Sequence, residues 1–309
     1  MRILFFGTPS FAIPSLEALI KGEDKIIGVV TQPDRPKGRG RRPSPPPIKL
    51  LAEGHNLPIY QPRAAKEKEF VDLIRNLEPD LIVVVAYGQI LPKEILDIPP
   101  LGAIGVHPSL LPKYRGAAPI NWAIINGERI TGVTIFRLCE KLDSGDIILQ
   151  RAIEILPGET AGGLSDRLAK FGADLLSEAI KDMKEGRIHL VKQDENLASY
   201  APCLKKEDGL IDWERSAKEI ANLICGLDPW PSAYTYLNGE LLKLFKAKVA
   251  SLDKVAEPGT ILEIESKGMK VATRDGAVLI EEIQRAGKKR LKVSEFVKGH
   301  PISPGKKLG

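Results

Sequence analysis

Residues 80–88, DLIVVVAYG, constrain the fold more than any other segment. The run from Leu81 to Val85 is apolar without alternation, so a strand made from it must be covered on both faces. Such a strand belongs inside a sheet with helices packed on either side. The neighbouring segments supply those partners. RILFFGTPSFAIPSLEALIKG reads as a strand at 3–6, a tight turn and a helix with Leu16, Leu19 and Ile20 on one face. In that reading Thr8 caps the helix and Pro9 sits in its first turn. KIIGVVTQ is a second strand, and AKEKEFVDLIRNLEPD a helix stopped by Pro79. Strands alternating with helices predict a doubly wound α/β domain with a parallel sheet.

The pattern continues with a strand in LGAIGVHPS, a short helix in APINWAIING and a strand pair in ITGVTIFRL and DIILQRAIEI. A long helix, TAGGLSDRLAKFGADLLSEAIKDMKEG, closes a first domain at residue 188. The polar, aperiodic stretch 189–206 reads as a linker. Within 207–309, short strands broken by Asn-Gly, Lys-Gly and Asp-Gly predict hairpins and a small β-barrel. A chain of 309 residues is long enough for two such cores.

Several function classes fall away. No run of about 18 apolar residues suggests a membrane helix. Met1-Arg2-Ile3 enters a strand without a signal-peptide layout. Cys139, Cys203 and Cys225 are too scattered for a disulfide framework or a metal pair, so a reduced, cytoplasmic protein is expected. The four histidines have no ligand spacing, so no metal is expected. The first strand–helix turn lacks G-x-G-x-x-G, and no Walker loop occurs, which argues against a dinucleotide or triphosphate site. The net charge of +5 is uneven. Arg35, Lys37, Arg39, Arg41, Arg42 and Lys49 crowd one connection, and a second basic stretch begins at Lys288. That connection exceeds the usual 2 to 6 or so residues of a βα loop. Basic clusters poor in acid suit a polyanionic partner, although a solvated loop has the same composition.

AIGVHPSLLPKYRG puts His107 at a strand exit, before a loop stiffened by Pro108 and Pro112. Ligands of open α/β sheets gather at the carboxyl ends of strands, where AYGQILP and HPSLLPKYRG both emerge. EKLDSGDI holds Asp143 and Asp146 in a Ser-Gly turn. A histidine beside a carboxylate can act as general acid or base. On these residues alone two readings stand: a turn containing a histidine, or an acid–base pair.

VVVAYGQILP, HPSLLPKYRGAAPI, GVTIF and LDSGDI together resemble the formyltransferases that use 10-formyltetrahydrofolate. FFGTPSFA, VTQPDRPKGRG, IDW, DPWPSAYT and GKKRLKVSEFVKGHPISPG extend the resemblance along nearly the whole chain. They narrow it to the branch whose acceptor is methionine on initiator tRNA. The resemblance implies a Rossmann-like formyltransferase domain (1–188) and an OB-type barrel that contacts tRNA (207–309). It implies that His107 faces the reacting formyl group and Asp143 supports it, whereas Asp146 is a turn residue. Ser109, Leu110, Leu111 and Pro112 match the folate-contact segment, and the backbone of Ala86, Tyr87, Gly88 and Gln89 matches the loop facing the pterin. Arg35, Lys37, Arg39, Arg41 and Arg42 match a loop that enters the tRNA acceptor region. Lys288, Lys289 and Arg290 would form a second basic surface, with Trp213 and Trp230 as packing residues. A monomer is the family expectation.

Gly105 departs from the family's Asn-x-His pattern. The asparagine amide is the donor to the developing oxyanion, and loss of one such donor costs about 10² to 10³ in rate. A weak enzyme, a rearranged site and an altered residue are the three readings, and Gly105→Asn is expected to raise turnover at least about tenfold. Two rivals follow: a small amine acceptor such as an amino-sugar nucleotide or glycinamide ribonucleotide, or an RNA-binding protein with a disabled formyl site.

Overall fold

The computed structural model describes residues 1–37, 42–252 and 256–309, with the backbone alone described at Lys37 and Arg42. The chain forms two compact units, neither contiguous in sequence. The first comprises 1–116, 131–153 and 165–200; the second comprises 117–130, 154–164 and 201–309. Two segments inside the expected first domain therefore pack with the second unit.

In chain order the elements are β1 (Arg2–Gly7), α1 (Ile13–Lys21), β2 (Lys25–Val30), β3 (Arg35–Lys37), β4 (Arg42–Ser44), α2 (Pro47–Gly54), β5 (Ile59–Tyr60), α3 (Lys68–Leu77) and β6 (Leu81–Val85). Then follow α4 (Lys93–Leu96), β7 (Ala103–His107), β8 (Arg115–Gly116), α5 (Pro119–Ile125), β9 (Ile130–Arg137), β10 (Ile147–Glu154), α6 (Ala161–Lys184) and β11 (Tyr200–Ala201). The sheet of the first unit has the order β10-β9-β7-β6-β1-β2-β5. β1 pairs in parallel with β2 and β6, and β6 with β7, whereas β7 meets β9 antiparallel. Ile3 to Phe6 and Leu81 to Val83 are fully buried, as two covered faces require.

From β1 the chain runs outward to β2 and β5, then returns to β6 on the other side. The carboxyl ends of β1 and β6 thus flank the point where strand order reverses, the usual ligand crevice of such sheets. Thr8 works there and not as a helix cap. Its hydroxyl donates to the Tyr87 carbonyl at 2.9 Å and accepts from Gln32 N at 3.4 Å. The helix starts five residues later at Ile13, and Pro14 takes the first-turn position expected of Pro9.

The second unit adds α7 (Ala217–Gly226), β12 (Ala233–Leu237), β13 (Glu240–Ala250), β14 (Ile261–Glu265), β15 (Gly268–Ala272), β16 (Ala277–Arg285), β17 (Leu291–Lys292) and α8 (Val293–Gly299). Its antiparallel sheet runs β12-β13-β16-β15-β14, with β17 beside β16. Asn238 and Gly239, at φ +52° and +79°, form the two-residue hairpin loop between β12 and β13. Ser216 and Glu219 close a capping box at the start of α7. The core joins α7 and this sheet to Ala118, with Trp122 and Ile125 of α5 packed against it. Trp213 is buried, its indole donating to Thr235 Oγ1 at 3.1 Å, but Trp230 is 56% exposed and does not serve as core. Among the described residues no helix is long and apolar enough to cross a membrane.

Candidate functional site

Successive strand residues alternate faces, so Gly105 and His107 share one face of β7. Register places them opposite Phe136 and Thr134 of β9. His107 is only 6% exposed. Its Nε2 lies 2.9 Å from the Tyr114 carbonyl, which can only accept, so Nε2 carries a hydrogen. Its Nδ1 lies 3.7 Å from Asp143 Oδ2, too far for a direct hydrogen bond but close enough for strong attraction once charged. Burial holds the imidazole below its ordinary pKa; the Asp143 charge and the Tyr114 carbonyl oppose that effect. The neutral ring therefore presents a bare Nδ1 toward the carboxylate. A proton that arrives at Nδ1 is stabilised by Asp143.

Asp143 sits in left-handed backbone (φ +48°), and its Oδ2 accepts from Gly116 N at 2.8 Å. A Cβ at Gly145 would run into the Arg137 carbonyl, so the turn needs glycine there. Gln193 donates from Nε2 to the carbonyls of Asp143 (2.9 Å) and Gly145 (2.7 Å). The segment expected to be a linker thus reaches back to the candidate site.

The Ser109–Leu110–Leu111–Pro112 bend is fastened to β9 by one hydroxyl. Thr134 Oγ1 donates to the Ser109 carbonyl (2.7 Å) and accepts from Leu111 N (3.1 Å) and Gln150 Nε2 (2.7 Å). Gln150 also donates to the Leu111 carbonyl at 2.9 Å. Ser109 is fully buried and spends its hydroxyl on the Lys113 carbonyl at 2.6 Å. Leu111 is buried too, which leaves Leu110 and Pro112 as the partly exposed side chains of the bend. The Leu111–Pro112 peptide is cis.

At the end of β6, Ala86 (φ +49°) and Gly88 (φ +89°) fold the backbone sharply around Tyr87. The Tyr87 ring points into the core, edge-on to Phe6 at 5.2 Å, and burial raises its pKa to about 12. Gln89 is likewise engaged: Oε1 accepts from Ala65 N at 2.7 Å and Nε2 donates to the Arg63 carbonyl at 3.2 Å. What this loop offers outward is main chain. It lines a cavity of about 450 Å³ with Thr8, Gln32, Arg35 and Pro46. Gln32 Nε2 is buried without a partner beside that cavity. Main-chain groups and an orphaned amide next to apolar prolines fit a flat, amide-bearing ligand such as a folate.

Gly105 requires a correction to the expected effect of asparagine. An added Cβ would lie 2.6 Å from Phe136 Cε1 and 3.0 Å from its Cζ. Phe136 is 2% exposed and its ring stands edge-on to His107, centroids 6.2 Å apart. The ring occupies the space a side chain at 105 needs, so Gly105→Asn alone meets a clash.

Among the basic residues, Arg35 is exposed and donates to Gln32 Oε1 at 3.1 Å. The backbones of Lys37 and Arg42 pair across the β3–β4 hairpin, so the connection is not loop throughout. Arg39 and Arg41 lie outside the described residues. Lys49 is paired with Asp34 at 2.9 Å. Lys288 and Lys289 are exposed. Arg290 is not a free charge: it forks onto Asp228 (2.9 and 3.0 Å), pairs with Glu282 and lies 4.0 Å over the Phe245 ring. It braces the second unit.

The formyl transferase family model matches residues 1–180, and the formyl transferase C-terminal domain model matches 203–301. Over all 309 residues the chain is 50% identical to methionyl-tRNA formyltransferase of Geotalea daltonii, covering 98% of that protein. It is equally similar to the one from Clostridioides difficile, covering 100% of each chain. The chain belongs to the methionyl-tRNA formyltransferase family. A sugar 3N-formyl transferase solved with dTDP and 5-N-formyl-THF shares the fold, with TM-score 0.70 and 21% identity over 94% of this chain and 99% of that one. In this member of the methionyl-tRNA formyltransferase family, motif reading named His107 and Asp143, which lie 3.7 Å apart, and the two loops. It did not name Arg115, Thr134, Gln150 and Gln193, whose side chains fasten those segments. Thr134, a lone hydroxyl inside the apolar run GVTIF, was the one visible signal.

Proposed function

We propose that this protein transfers a formyl group from 10-formyltetrahydrofolate to the amino group of methionine on initiator tRNA, as a monomer in the cytoplasm. The observation that carries this reading is full-length identity of 50% to proteins of that name. The amine nitrogen forms a bond to the formyl carbon while the carbonyl pair moves to oxygen. Collapse re-forms the carbonyl, breaks the bond to the folate nitrogen and leaves a proton to pass from the amine to that nitrogen. His107 handles that proton at Nδ1, and Asp143 stabilises the charged ring, which is supported by the 3.7 Å separation. The backbone of Ala86, Tyr87, Gly88 and Gln89 and the bend Ser109, Leu110, Leu111 and Pro112 orient the folate. Arg35, Lys37, Arg39, Arg41 and Arg42, with Lys288 and Lys289, hold the tRNA backbone; Arg290 is left out because its charge is engaged internally.

Steady-state formylation of charged initiator tRNA, run beside an amino-sugar nucleotide acceptor, tests the proposal. Transfer to the tRNA alone is the expected result. Preference for the sugar, or binding of tRNA without transfer, would overturn it in favour of one of the two rivals.

A further inference from the structure

The first unit holds a buried polar strut that no acid–base role explains. The Arg115 side chain is 2% exposed. Its Nε and Nη2 donate to Gln193 Oε1 at 3.0 and 2.7 Å, and its Nη1 and Nη2 donate to the two Glu195 oxygens at 2.9 Å each. The Gln193 amide can adopt one orientation only. A guanidinium has no acceptor, so it fixes Oε1; the carbonyls of Asp143 and Gly145 have no donor, so they fix Nε2. Two donors and two acceptors thus meet at one amide, and each is satisfied. Glu195 is 68% exposed and water can replace it, whereas among the described residues the half-buried Gln193 amide alone joins Arg115 to the Asp143 turn. Arg115 also follows directly on Tyr114, whose carbonyl receives the His107 hydrogen, and precedes Gly116, whose N–H holds Asp143. The strut therefore ties together the two backbone segments that carry the imidazole's partners.

We propose that Gln193, locked by Arg115, is a positioning residue: its amide holds the turn from Asp143 to Gly145 so that the Asp143 carboxylate faces Nδ1 of His107. The proposal rests on the formyl-transfer reading for its kinetic consequence but not for its geometry. Gln193→Glu separates the two arms of the amide. The new carboxylate keeps Arg115 by ion pairing, so the fold is retained, yet it presents lone pairs to two carbonyls and releases the turn.

Gln193→Glu is expected to lower kcat by about 10- to 100-fold, as displacement of a reacting group does, with a melting temperature near that of the parent protein. KM for tRNA and folate should stay within about twofold. In an Asp143→Asn background the same change should cost less than about threefold, since the residues act as a unit. Nitrogen NMR of the His107 ring supplies a readout independent of turnover. Asp143, the Tyr114 carbonyl and the Phe136 ring surround that imidazole, and withdrawal of the carboxylate should move its titration to lower pH. An unchanged titration, or a full-sized kcat loss that persists without the Asp143 carboxylate, would overturn the assignment. If the parent protein transfers no formyl group, the functional reading fails and the NMR arm still decides the role of Gln193.

Discussion

Gly105 and Phe136 face each other across the β7–β9 pair, and the 2.6 Å approach of an added Cβ to the ring makes them one packing unit. Forcing extra atoms into a filled core costs about 1 to 3 kcal/mol. Gly105→Asn by itself should therefore lower the melting temperature and leave kcat no higher. Combined with Phe136→Leu, it should raise kcat at least about tenfold over Phe136→Leu alone, because an amide donor then has room. An equal gain in the single and double variants would mean that the ring yields freely. The imidazole gives a second test. Burial favours the neutral ring and the Asp143 charge resists that, so Asp143→Asn deepens the depression. The His107 limb of the pH–rate profile should lie below the ordinary histidine range and move to still lower pH in Asp143→Asn. His107 and Asp143 were legible because their neighbours form recognisable motifs. Phe136 was not, because strand register across a separation of thirty-one positions leaves no local mark.

Among elements, β9 does more than pair with β7. One hydroxyl on it, Thr134, holds two groups of the Leu-Leu bend, the Ser109 carbonyl and Leu111 N, and the side chain of Gln150. Thr134→Val keeps the shape and removes that hydrogen bonding, which leaves Leu111 N and the Ser109 carbonyl unpaired at a cost of about 1 to 3 kcal/mol each. The expected outcome is a lower melting temperature and a raised KM for folate, with KM for tRNA little changed; equal rises in both would disconnect the bend from folate. In the first unit the face of α3 was readable from its helical periodicity, and β6 from the unbroken apolar run Leu81 to Val85. The stretch 189–206 was not. Its polar residues look like a linker because its partners, Arg115 and the Asp143 turn, lie far away in sequence.

At the scale of the whole molecule, salt dependence tests the basic residues as a tRNA-binding surface. If Arg35, Lys288 and Lys289 each neutralise a tRNA phosphate, alanine at all three should reduce the slope of log affinity against log salt by about 2 to 3. Arg290→Ala should instead lower the melting temperature and leave that slope unchanged, since its partners are Asp228 and Glu282. An unchanged slope in the triple variant would place the tRNA elsewhere. The division into units has a further consequence for how such proteins diversify. Helix α5, encoded in the first half of the chain, packs against α7, and Asn121 Nδ2 donates to the Gly226 carbonyl at 2.7 Å. A chimera that joins the front of one relative to the back of another at residue 200 must therefore match a foreign helix to its core. The second unit is drawn from three separate stretches of the gene, so recombination at a single breakpoint cannot exchange it whole.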